Sequence, residues 1–391
     1  MPRYQIQDVG TLAGFSGYSQ VNPYNINNAN PPAVVGTQFL GAKDNSTDSP
    51  SAFSYTQSGG IAYAYPAGKD ISFGYAVNMA GDMVVCSGNS TAYGPGAPDT
   101  GSGYPYQPGV VVRGVLTPLS PIVPRLPTPY DTSYGVATST AAAPAPIRWC
   151  GGKLNTAGDF AGVMTTGPSA ATGKPNVKPG TLPILIHTQI NKTVILGSLG
   201  GHNGGATAIN DAGVIVGYSE PRNWNPPSTT PGWPLWTLGH AFIYRNSTMI
   251  DLNSQISSPK GEWELLWAND INEEGEIVGY GLFTQGGQQN LCAFHFVGGT
   301  VVNLDTQQKG GTSAATGINA KREIVGIALF GGDWKACIFI GGSPVELNGL
   351  IDRELRWDLW VATAINNHGQ IVGWGKRRGA EGIRGFLLTP P

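Results

Sequence analysis

Charged residues are scarce in this sequence, and the two signs nearly balance. They make up 12% of 391 residues, with 23 Lys and Arg against 25 Asp and Glu. Folded chains ordinarily carry about twice that fraction of charge. Without a basic excess, the chain lacks the electrostatic footprint of a nucleic-acid-binding protein, and we expect no nucleic-acid partner. A surface built from Ser, Thr, Asn and Gly instead suggests an extracellular or particle-borne protein.

Long apolar segments are lacking as well. No run of about 18 apolar residues occurs, so no membrane span is predicted. Residues 1–15 lack the basic stretch followed by an apolar stretch that marks a secretory signal. Three routes to the outside remain open: a signal already removed, export without a signal, or release of a virus particle by lysis.

Recognisable catalytic and metal-binding motifs are missing. Cys86, Cys150, Cys292 and Cys337 form no C-x-x-C pair, so we expect buried free thiols rather than a zinc or redox site. The sequence contains no G-x-S-x-G, no H-E-x-x-H and no EF-hand loop. We therefore expect no cofactor and no metal ion.

A repeated nonapeptide organises the chain. INDAGVIVG at 209–217 returns as INEEGEIVG at 271–279, INAKREIVG at 318–326 and INNHGQIVG at 365–373. Looser copies lie at 26–36, 77–85 and 154–162. The seven copies are anchored on Asn27, Asn78, Asn155, Asn210, Asn272, Asn319 and Asn366. Recurrence at roughly 50 residues is typical of a propeller or a solenoid.

Each repeat contains short runs of β-branched and aromatic residues separated by turn residues. Repeat four has four such runs, at 202–210, 214–218, 240–244 and 248–252. Four strands joined as a meander form one blade of a propeller. We predict blades at about 17–66, 71–119, 146–197, 202–252, 262–304, 312–347 and 357–388.

The last repeat lacks a fourth strand, whereas the N-terminus has a surplus one. Residues 3–9 match the fourth-strand pattern and are expected to complete the blade at 357–388. Such pairing closes a ring and removes its exposed edges. The sequence thus predicts an all-β, single-domain chain over 1–391, a seven-bladed β-propeller of four-stranded blades closed by its N-terminal strand.

The motif I-N-x-x-G predicts a tight hairpin between the first two strands of each blade. Gly supplies the positive φ that the turn needs, and the Asn side chain bonds nearby backbone. Arg322 replaces this Gly in repeat six, so that turn either changes type or carries backbone strain. The later Gly of the motif, as at Gly217, is expected to permit close packing between blades.

The motif is followed by H-A-F at 240–242, and together they resemble the HAF repeat, a repeat family of extracellular proteins. The third strand varies as SAF at 51–53, CAF at 292–294, CIF at 337–339 and RGF at 384–386. The resemblance covers nearly the whole chain apart from the long loops. It implies an extracellular location and a propeller-like fold, and it supplies no catalytic residues.

Long insertions follow the second and fourth strands and should therefore lie on one face of the ring. They are 89–108, 165–182, 220–238 and 284–290 after the second strand, and 120–145, 253–261 and 348–356 after the fourth. Insertions confined to one face of a repeat array usually mark the binding face. Their aromatic residues include Trp224, Trp233, Trp236, Tyr104, Tyr106 and Tyr130. These side chains either bind a glycan or protein partner or pack the loops onto the ring.

Two functions remain open. The first is a non-enzymatic binding or structural propeller, extracellular or part of a virion or surface assembly, that presents this aromatic face to a glycan or protein partner. The alternative is a carbohydrate-active enzyme, a polysaccharide lyase or hydrolase, whose catalytic residues would be His202, His240, Glu220 and Arg222. An acidic group before blade seven, Asp352, Glu354 and Asp358, either holds a cation or is solvated. The sequence predicts no oligomeric state.

Overall fold

The structure is a computed structural model that describes residues 3–12, 19–40, 49–64, 71–88, 107–112, 115–118, 152–165, 181–224, 239–259, 261–306 and 312–391. Within these ranges the regular structure is β-strand, apart from short 3-10 helices at Leu252–Gln255, Leu347–Leu350 and Arg353–Leu355. No helix among them is long and apolar enough to cross a membrane. The strands form seven antiparallel sheets, which we number as blades in chain order.

The strand bounds follow the order of the repeats. Blade one contains β2 (Ser19–Ile26), β3 (Ala33–Leu40), β4 (Ser49–Thr56) and β5 (Gly60–Tyr63), and blade two contains β6 (Ile71–Val77), β7 (Met83–Gly88), β8 (Gln107–Val112) and β9 (Val115–Pro118). Blade three contains β10 (Asp159–Thr165), β11 (Thr181–His187) and β12 (Lys192–Ile195), and blade four contains β13 (Gly200–Ile209), β14 (Ile215–Pro221), β15 (His240–Arg245) and β16 (Thr248–Asp251). Blade five contains β17 (Trp263–Ile271), β18 (Ile277–Gln285), β19 (Gln288–Val297) and β20 (Thr300–Asn303), and blade six contains β21 (Ser313–Ile318), β22 (Ile324–Phe330), β23 (Asp333–Ile340) and β24 (Ser343–Glu346). Blade seven contains β25 (Trp357–Ile365), β26 (Ile371–Arg377), β27 (Arg384–Thr389) and the N-terminal β1 (Gln5–Asp8).

The N-terminal strand completes the last blade, as predicted. β1 pairs antiparallel with β27, from Gln5 opposite Thr389 to Asp8 opposite Phe386. Asp8 also receives a hydrogen bond from Arg384 Nη2 at 3.0 Å. The fourth strand of blade seven therefore comes from the other end of the chain. The predicted all-β, seven-bladed ring closed by its N-terminal strand is confirmed, and blade three has three strands within the described residues.

The repeated Asn closes each first hairpin in the predicted way. In blade four, Asn210 Oδ1 accepts from the backbone N–H of Val214 at 3.0 Å, and Gly213 N–H donates to the Asn210 carbonyl at 3.0 Å. Gly213 has a φ of 76°. This left-handed conformation is easily reached by Gly alone, which explains its place in the motif.

The same Asn also bonds each blade to the next one. Six of the seven side chains donate from Nδ2 to the backbone carbonyl of the Asn one blade further on, and all seven are at most 6% exposed. The pairs are Asn27 to Asn78, Asn155 to Asn210, Asn210 to Asn272, Asn272 to Asn319, Asn319 to Asn366, and Asn366 to Asn27. We call this set the Asn ladder. Because each buried amide is bonded on both its oxygen and its nitrogen, its burial carries little desolvation penalty.

Gly217 and its equivalents have a different role from the one expected. In blade four the register shifts between Ala206 and Ala208, which marks a β-bulge in the first strand. A Cβ on Gly217 would collide with the carbonyl oxygen of Gly205 on that same strand. Gly279, Gly326 and Gly373 face a first-strand carbonyl of their own blades in the same way. The prediction of packing between blades is therefore wrong for these positions, because the bulge brings the two strands of one blade together.

The bulge also bonds neighbouring blades. Thr207, the residue at the bulge, has its Oγ1 2.6 Å from the carbonyl oxygen of Ala268 in blade five. Equivalent bonds join Asn269 to Ala315, Thr316 to Ala362, and Thr363 to Pro23. They form a second belt of contacts from side chain to backbone, parallel to the Asn ladder.

Arg322 keeps the turn type of its siblings and accepts a strained conformation. Its φ is 64°, and its N–H donates to the Asn319 carbonyl at 3.1 Å, as the Gly of the motif does elsewhere. The guanidinium reaches back to blade five, where Nε lies 2.8 Å from Oε1 of the buried Glu276. An ion pair between two blades thus offsets the left-handed strain.

The apolar residues of the third strands form the core between blades. Phe53, Phe242, Phe294 and Phe386, each the last residue of an H-A-F-like triplet, have no exposed surface. Cys292 and Cys337 are buried free thiols, as predicted for them, whereas the side chains of Cys86 and Cys150 lie outside the described residues. The core therefore consists of apolar layers between adjacent blades.

The expected insertion at 284–290 is absent from blade five. β18 and β19 extend through this segment and are joined by Gly286 and Gly287, with φ of 60° and 78°. Two consecutive residues at positive φ form the tight turn that suits a two-residue hairpin. The ends of the second and third strands still define a common face, which we call the loop face, and the Asn hairpins lie on the opposite turn face.

Candidate functional site

His240 lies between blades four and five on the loop face. Its Nδ1 is 2.8 Å from Asp251 Oδ2, and its Nε2 is 3.3 Å from Glu264 Oε1. The indole Nε1 of Trp224 donates to the same Glu264 oxygen at 3.5 Å. The rings of Trp224 and His240 meet edge to face, with 6.2 Å between their centroids. The ends of three strands and one loop therefore converge on this imidazole.

Carboxylates at both ring nitrogens fix the charge of His240. Burial opposes protonation, but the hydrogen bonds and charges of Asp251 and Glu264 outweigh it and raise the pKa of His240 to about 9. At neutral pH the ring is an imidazolium that donates from both nitrogens, so it has no lone pair with which to act as a general base. In this state the cluster is an ion-pair network that joins two blades.

The other three residues that the sequence offers for catalysis are not part of the network around His240 in the described residues. Glu220 Oε2 accepts from the backbone N–H of Asn203 at 3.2 Å and from its Nδ2 at 3.0 Å. Arg222 is exposed, and its backbone N–H donates to the Leu199 carbonyl at 3.3 Å. His202 lies on β13, and its side chain is outside the described residues. The catalytic role of these residues stays a prediction.

Trp224 belongs to an aromatic cluster on the loop-face side of blades four to seven. Trp224 packs against a buried apolar cluster that includes Tyr280, and so do four partly buried tryptophans from the next three blades, Trp267, Trp334, Trp360 and Trp374. Trp267 stacks on Tyr218 of blade four at 3.7 Å between ring centroids and on Tyr280 at 6.0 Å. We call these partly buried rings the aromatic floor.

The remaining aromatic residues predicted to bind a partner lie outside the described residues. They are Trp233, Trp236, Tyr104, Tyr106 and Tyr130. Trp224 is the member of the predicted set that the structure places, and it contacts both the ion-pair network and the aromatic floor.

A cavity of about 290 Å³ opens on the loop face at the junction of blades six and seven. Its lining combines the indole of Trp357 with the carboxylates of Glu346 and Asp352, the amide of Asn348 and the guanidinium of Arg353. One aromatic ring with several polar groups around it is the usual composition of a small-ligand site. We call this cavity the Trp357 pocket.

The groups of the Trp357 pocket are held by bonds to one another and to neighbouring residues. Arg377 lies 6.0 Å from the centroid of the Trp357 ring and holds its orientation. Asn348 Nδ2 donates to Glu346 Oε1 at 2.8 Å, and Asp352 Oδ1 accepts from the backbone N–H of Glu354 at 3.0 Å. The second oxygen of each carboxylate remains available to a ligand, and Arg353 is exposed. The pocket is thus a preformed set of donors and acceptors beside an aromatic ring.

The acidic group before blade seven does not assemble into a cation site. Asp358 binds Lys335 Nζ at 2.7 Å and the indole Nε1 of Trp360 at 2.8 Å. Asp352 and Glu354 belong to the neighbouring 3-10 helix, with Glu354 exposed. In the described ranges, no three His, Cys, Asp or Glu side chains come close enough to hold a metal ion.

Sequence reasoning missed the partners of His240 and the indole of the Trp357 pocket, although it placed the loop that lines much of that pocket, 348–356, on the loop face. Asp251 and Glu264 end one strand and begin another, so nothing in their local sequence places them beside His240. Trp357 is the first residue of β25 and therefore lies outside the loops that the sequence singles out. The Leu-Asn pair shared by 252–253 and 347–348 was an available signal, because both segments form 3-10 helices before the next blade.

Comparisons with known proteins establish the fold. No family model matches the chain, and no curated protein matches it. The β-propeller domain of the Trilobed protease from Pyrococcus furiosus is similar in structure, with 8% identity, a TM-score of 0.54 and coverage of 96% of this chain and 94% of that chain. The polysaccharide lyase Uly1 follows at 10% identity and a TM-score of 0.45, over 97% and 91% of the two chains. TolB from Acinetobacter baumannii has 10% identity and a TM-score of 0.39, over 96% and 64%.

The fold is a β-propeller. At such low identity the similarity extends to architecture alone, and the site of this chain must be judged from its own residues. The Trilobed protease domain is described as having an open velcro topology, whereas β1 of this chain pairs with β27 and closes the last blade.

Proposed function

We propose that this propeller is a non-enzymatic binding module whose loop face holds a carbohydrate in the Trp357 pocket. The observation that carries the proposal is the placement of one partly exposed indole beside two carboxylates, an amide and a guanidinium in a cavity of about 290 Å³. A pyranose ring has an apolar face of C–H groups that packs on an indole, and equatorial hydroxyls that bond such polar groups.

The polar groups favour a glycan over an apolar protein segment. Each of the four polar residues can donate or accept a hydrogen bond, and a binding cavity with so many unfilled polar groups rejects a ligand that leaves them unpaired. Arg353 favours sugars that carry a carboxylate or sulfate, because a guanidinium binds such groups through two parallel hydrogen bonds. The proposed ligand is therefore an oligosaccharide.

The site lies on an extracellular or particle-borne protein in this proposal. The low charge content of 12% and the resemblance of the repeats to the HAF repeat support that location. That Tyr104, Tyr130 and Trp233 of the loops also bind the partner stays a prediction, since they lie outside the described residues.

Glycan-array screening followed by calorimetry tests the proposal. A hit should bind the wild-type chain and lose at least about tenfold in affinity with Trp357→Ala, while Trp357→Phe keeps most of it. Arg353→Ala should weaken acidic glycans more than neutral ones. The matched control is Ile190→Ala, an exposed apolar residue on the turn face, which should leave binding unchanged. Binding that survives Trp357→Ala, or an array with no hit, rejects the proposal.

A further inference from the structure

A second cavity opens on the axis of the ring at the turn face, opposite the loop face. It has a volume of about 190 Å³, and all seven blades contribute to its lining. The residue before each ladder Asn forms an apolar wall: Ile26, Val77, Leu154, Ile209, Ile271, Ile318 and Ile365. Pockets for drug-sized ligands are typically about 300–1,000 Å³, so this cavity suits a smaller molecule. We call it the axial cavity.

An ammonium group lies at the base of the axial cavity. Lys153 Nζ is 2.6 Å from Asp270 Oδ1 and 2.7 Å from Oδ2, which joins blade three to blade five across blade four. Asp270 is 1% exposed and also accepts backbone hydrogen bonds from Ile271 and Ile318. The carboxylate is therefore fully bonded. An ammonium has three N–H groups, so at least one of those on Lys153 remains for a ligand.

Asn25 provides an independent sign of a ligand. Its side chain lines the axial cavity and is only 7% exposed. It occupies the same repeat position as Lys153 and Asp270, two residues before the ladder Asn. Neither amide atom of Asn25 is among the enclosed polar atoms that lack a partner in the described residues, so the amide is open to the cavity that it lines. An amide both donates and accepts hydrogen bonds, so a polar molecule in the cavity can bond with Asn25.

The rim of the axial cavity carries two carboxylates from adjacent blades. Asp211 Oδ1 accepts from the backbone N–H of Thr156 at 2.8 Å, and Glu273 Oε2 accepts from the backbone N–H of Asp211 at 3.0 Å. Each carboxylate is oriented through one oxygen and has the other oxygen open. Burial, together with the charge of Asp211, raises the pKa of Glu273, so the two carboxylates repel each other. Lys153 is paired with Asp270, which does not line the cavity, so the two rim carboxylates make the lining negative and favour a cation.

We propose that the axial cavity binds a compact amino compound, whose ammonium group lies between Asp211 and Glu273 and whose neighbouring carboxylate or hydroxyl oxygen accepts from Lys153 and Asn25. Free amino acids and amino sugars share this chemistry. Acetylating the ligand nitrogen removes the charge that the rim recognises. The site is separate from the Trp357 pocket, so the two proposals stand or fall independently.

Calorimetry with free amino acids and with glucosamine tests the proposal, with the N-acetyl form of each compound as the neutral comparison. We expect saturable binding of at least one amino compound and at least about tenfold weaker binding of its N-acetyl form. The outcome also tells whether the ligand is an amino acid or an amino sugar. If no amino compound binds the wild-type chain, or if the N-acetyl form binds equally well, the proposal is wrong.

Variants then locate the site without disturbing the fold. The double variant Asp211→Asn, Glu273→Gln keeps both acceptors for the backbone N–H groups and removes both charges, so it should fold and lose at least about tenfold in affinity. Asn25→Ala should weaken binding by about threefold to tenfold through the lost amide bonds. Glu354→Gln, an exposed carboxylate on the loop face, is the matched control and should change nothing. Undiminished binding by the folded double variant would refute the proposed site.

Discussion

Asp305 is a buried carboxylate at a position where two other blades have Asn. Blades four and six end with Leu252–Asn253 and Leu347–Asn348, and blade five ends with Leu304–Asp305. Asn253 clamps the first strand of the next blade, because its Oδ1 accepts from the N–H of Leu265 at 2.7 Å and its Nδ2 donates to the Leu265 carbonyl at 3.0 Å. A carboxylate can accept but cannot donate, so Asp cannot make both bonds.

The structure shows the result of this mismatch. Asp305 is 4% exposed, and neither of its carboxylate oxygens has a well-formed hydrogen bond among the described residues; the nearby Ser313 side chain favours the ionised form less than burial disfavours it. Burial raises the pKa of Asp305 above its ordinary value. Leaving a buried acceptor unpaired costs about 1–3 kcal/mol, and more when it is charged. We therefore predict that Asp305→Asn stabilises the protein by about 2 kcal/mol.

Thermal and urea unfolding measure the stability gained by Asp305→Asn. With an unfolding entropy of roughly 0.8 kcal/mol/K for a chain of this length, about 2 kcal/mol raises Tm by roughly 2–3 °C. Because the folded-state pKa of Asp305 is raised, the penalty is small below the unfolded pKa of about 3.9 and grows as pH rises through the folded value. The stability gained by Asp305→Asn should thus be larger at pH 7 than near pH 4.

Two further variants isolate the cause. Asn253→Asp places the mismatch in blade four and should destabilise it, whereas Asp305→Ala removes the charge without adding the clamp and should fall between the wild type and Asp305→Asn. An unchanged or lowered Tm in Asp305→Asn, or a harmless Asn253→Asp, would refute the reasoning.

Three further predictions follow from the fold and the loop face. The pKa of His240 is raised to about 9, so the protonated ring contributes to the free energy of unfolding. This contribution is at most about 3 kcal/mol, and about 1–2 kcal/mol after solvent screening. It is complete below about pH 6.5 and is lost as pH rises through about 9. His240→Gln should therefore lower Tm at pH 6 and leave it nearly unchanged at pH 10, and a constant difference would contradict this assignment. Gly217→Ala should cost about 1–3 kcal/mol in urea unfolding because of its carbonyl clash, while Gly349→Ala, with open space around its Cβ, should stay within about 0.5 kcal/mol. Deleting β1 should raise hydrogen exchange in β27, its partner strand, and unchanged protection there would show that β1 does not stabilise the last blade.

The sequence predicts the ring because its signals are local and repeated. The I-N-x-x-G turns fix the hairpins through Asn210 and its equivalents, and the strand missing after 384–388 matches the surplus at 3–9. The contacts between blades could not be predicted in the same way. Nothing in a single repeat shows that the second amide proton of Asn210 meets a carbonyl of the next blade, or that Thr207 lies on a bulge.

The candidate sites were less predictable, because each is assembled from several blades. His240 was singled out from its place beside a long loop, but its charge is set by Asp251 and Glu264, which arrive from other strands. Lys153 and Asp270 are 117 positions apart and meet only across the axis. Apolar and turn patterns describe one blade at a time, and such distant pairs carry no local signature.

The Asn ladder has a consequence for how this chain can change. Each rung ends on a peptide oxygen, which every amino acid possesses, so the side chain of the receiving residue takes no part in that rung and serves the next one. A blade can therefore have longer loops or altered outer strands without losing the ladder hydrogen bond to the next blade. Replacing one whole blade by another should preserve the hydrogen bonds between blades as long as the ladder Asn is retained.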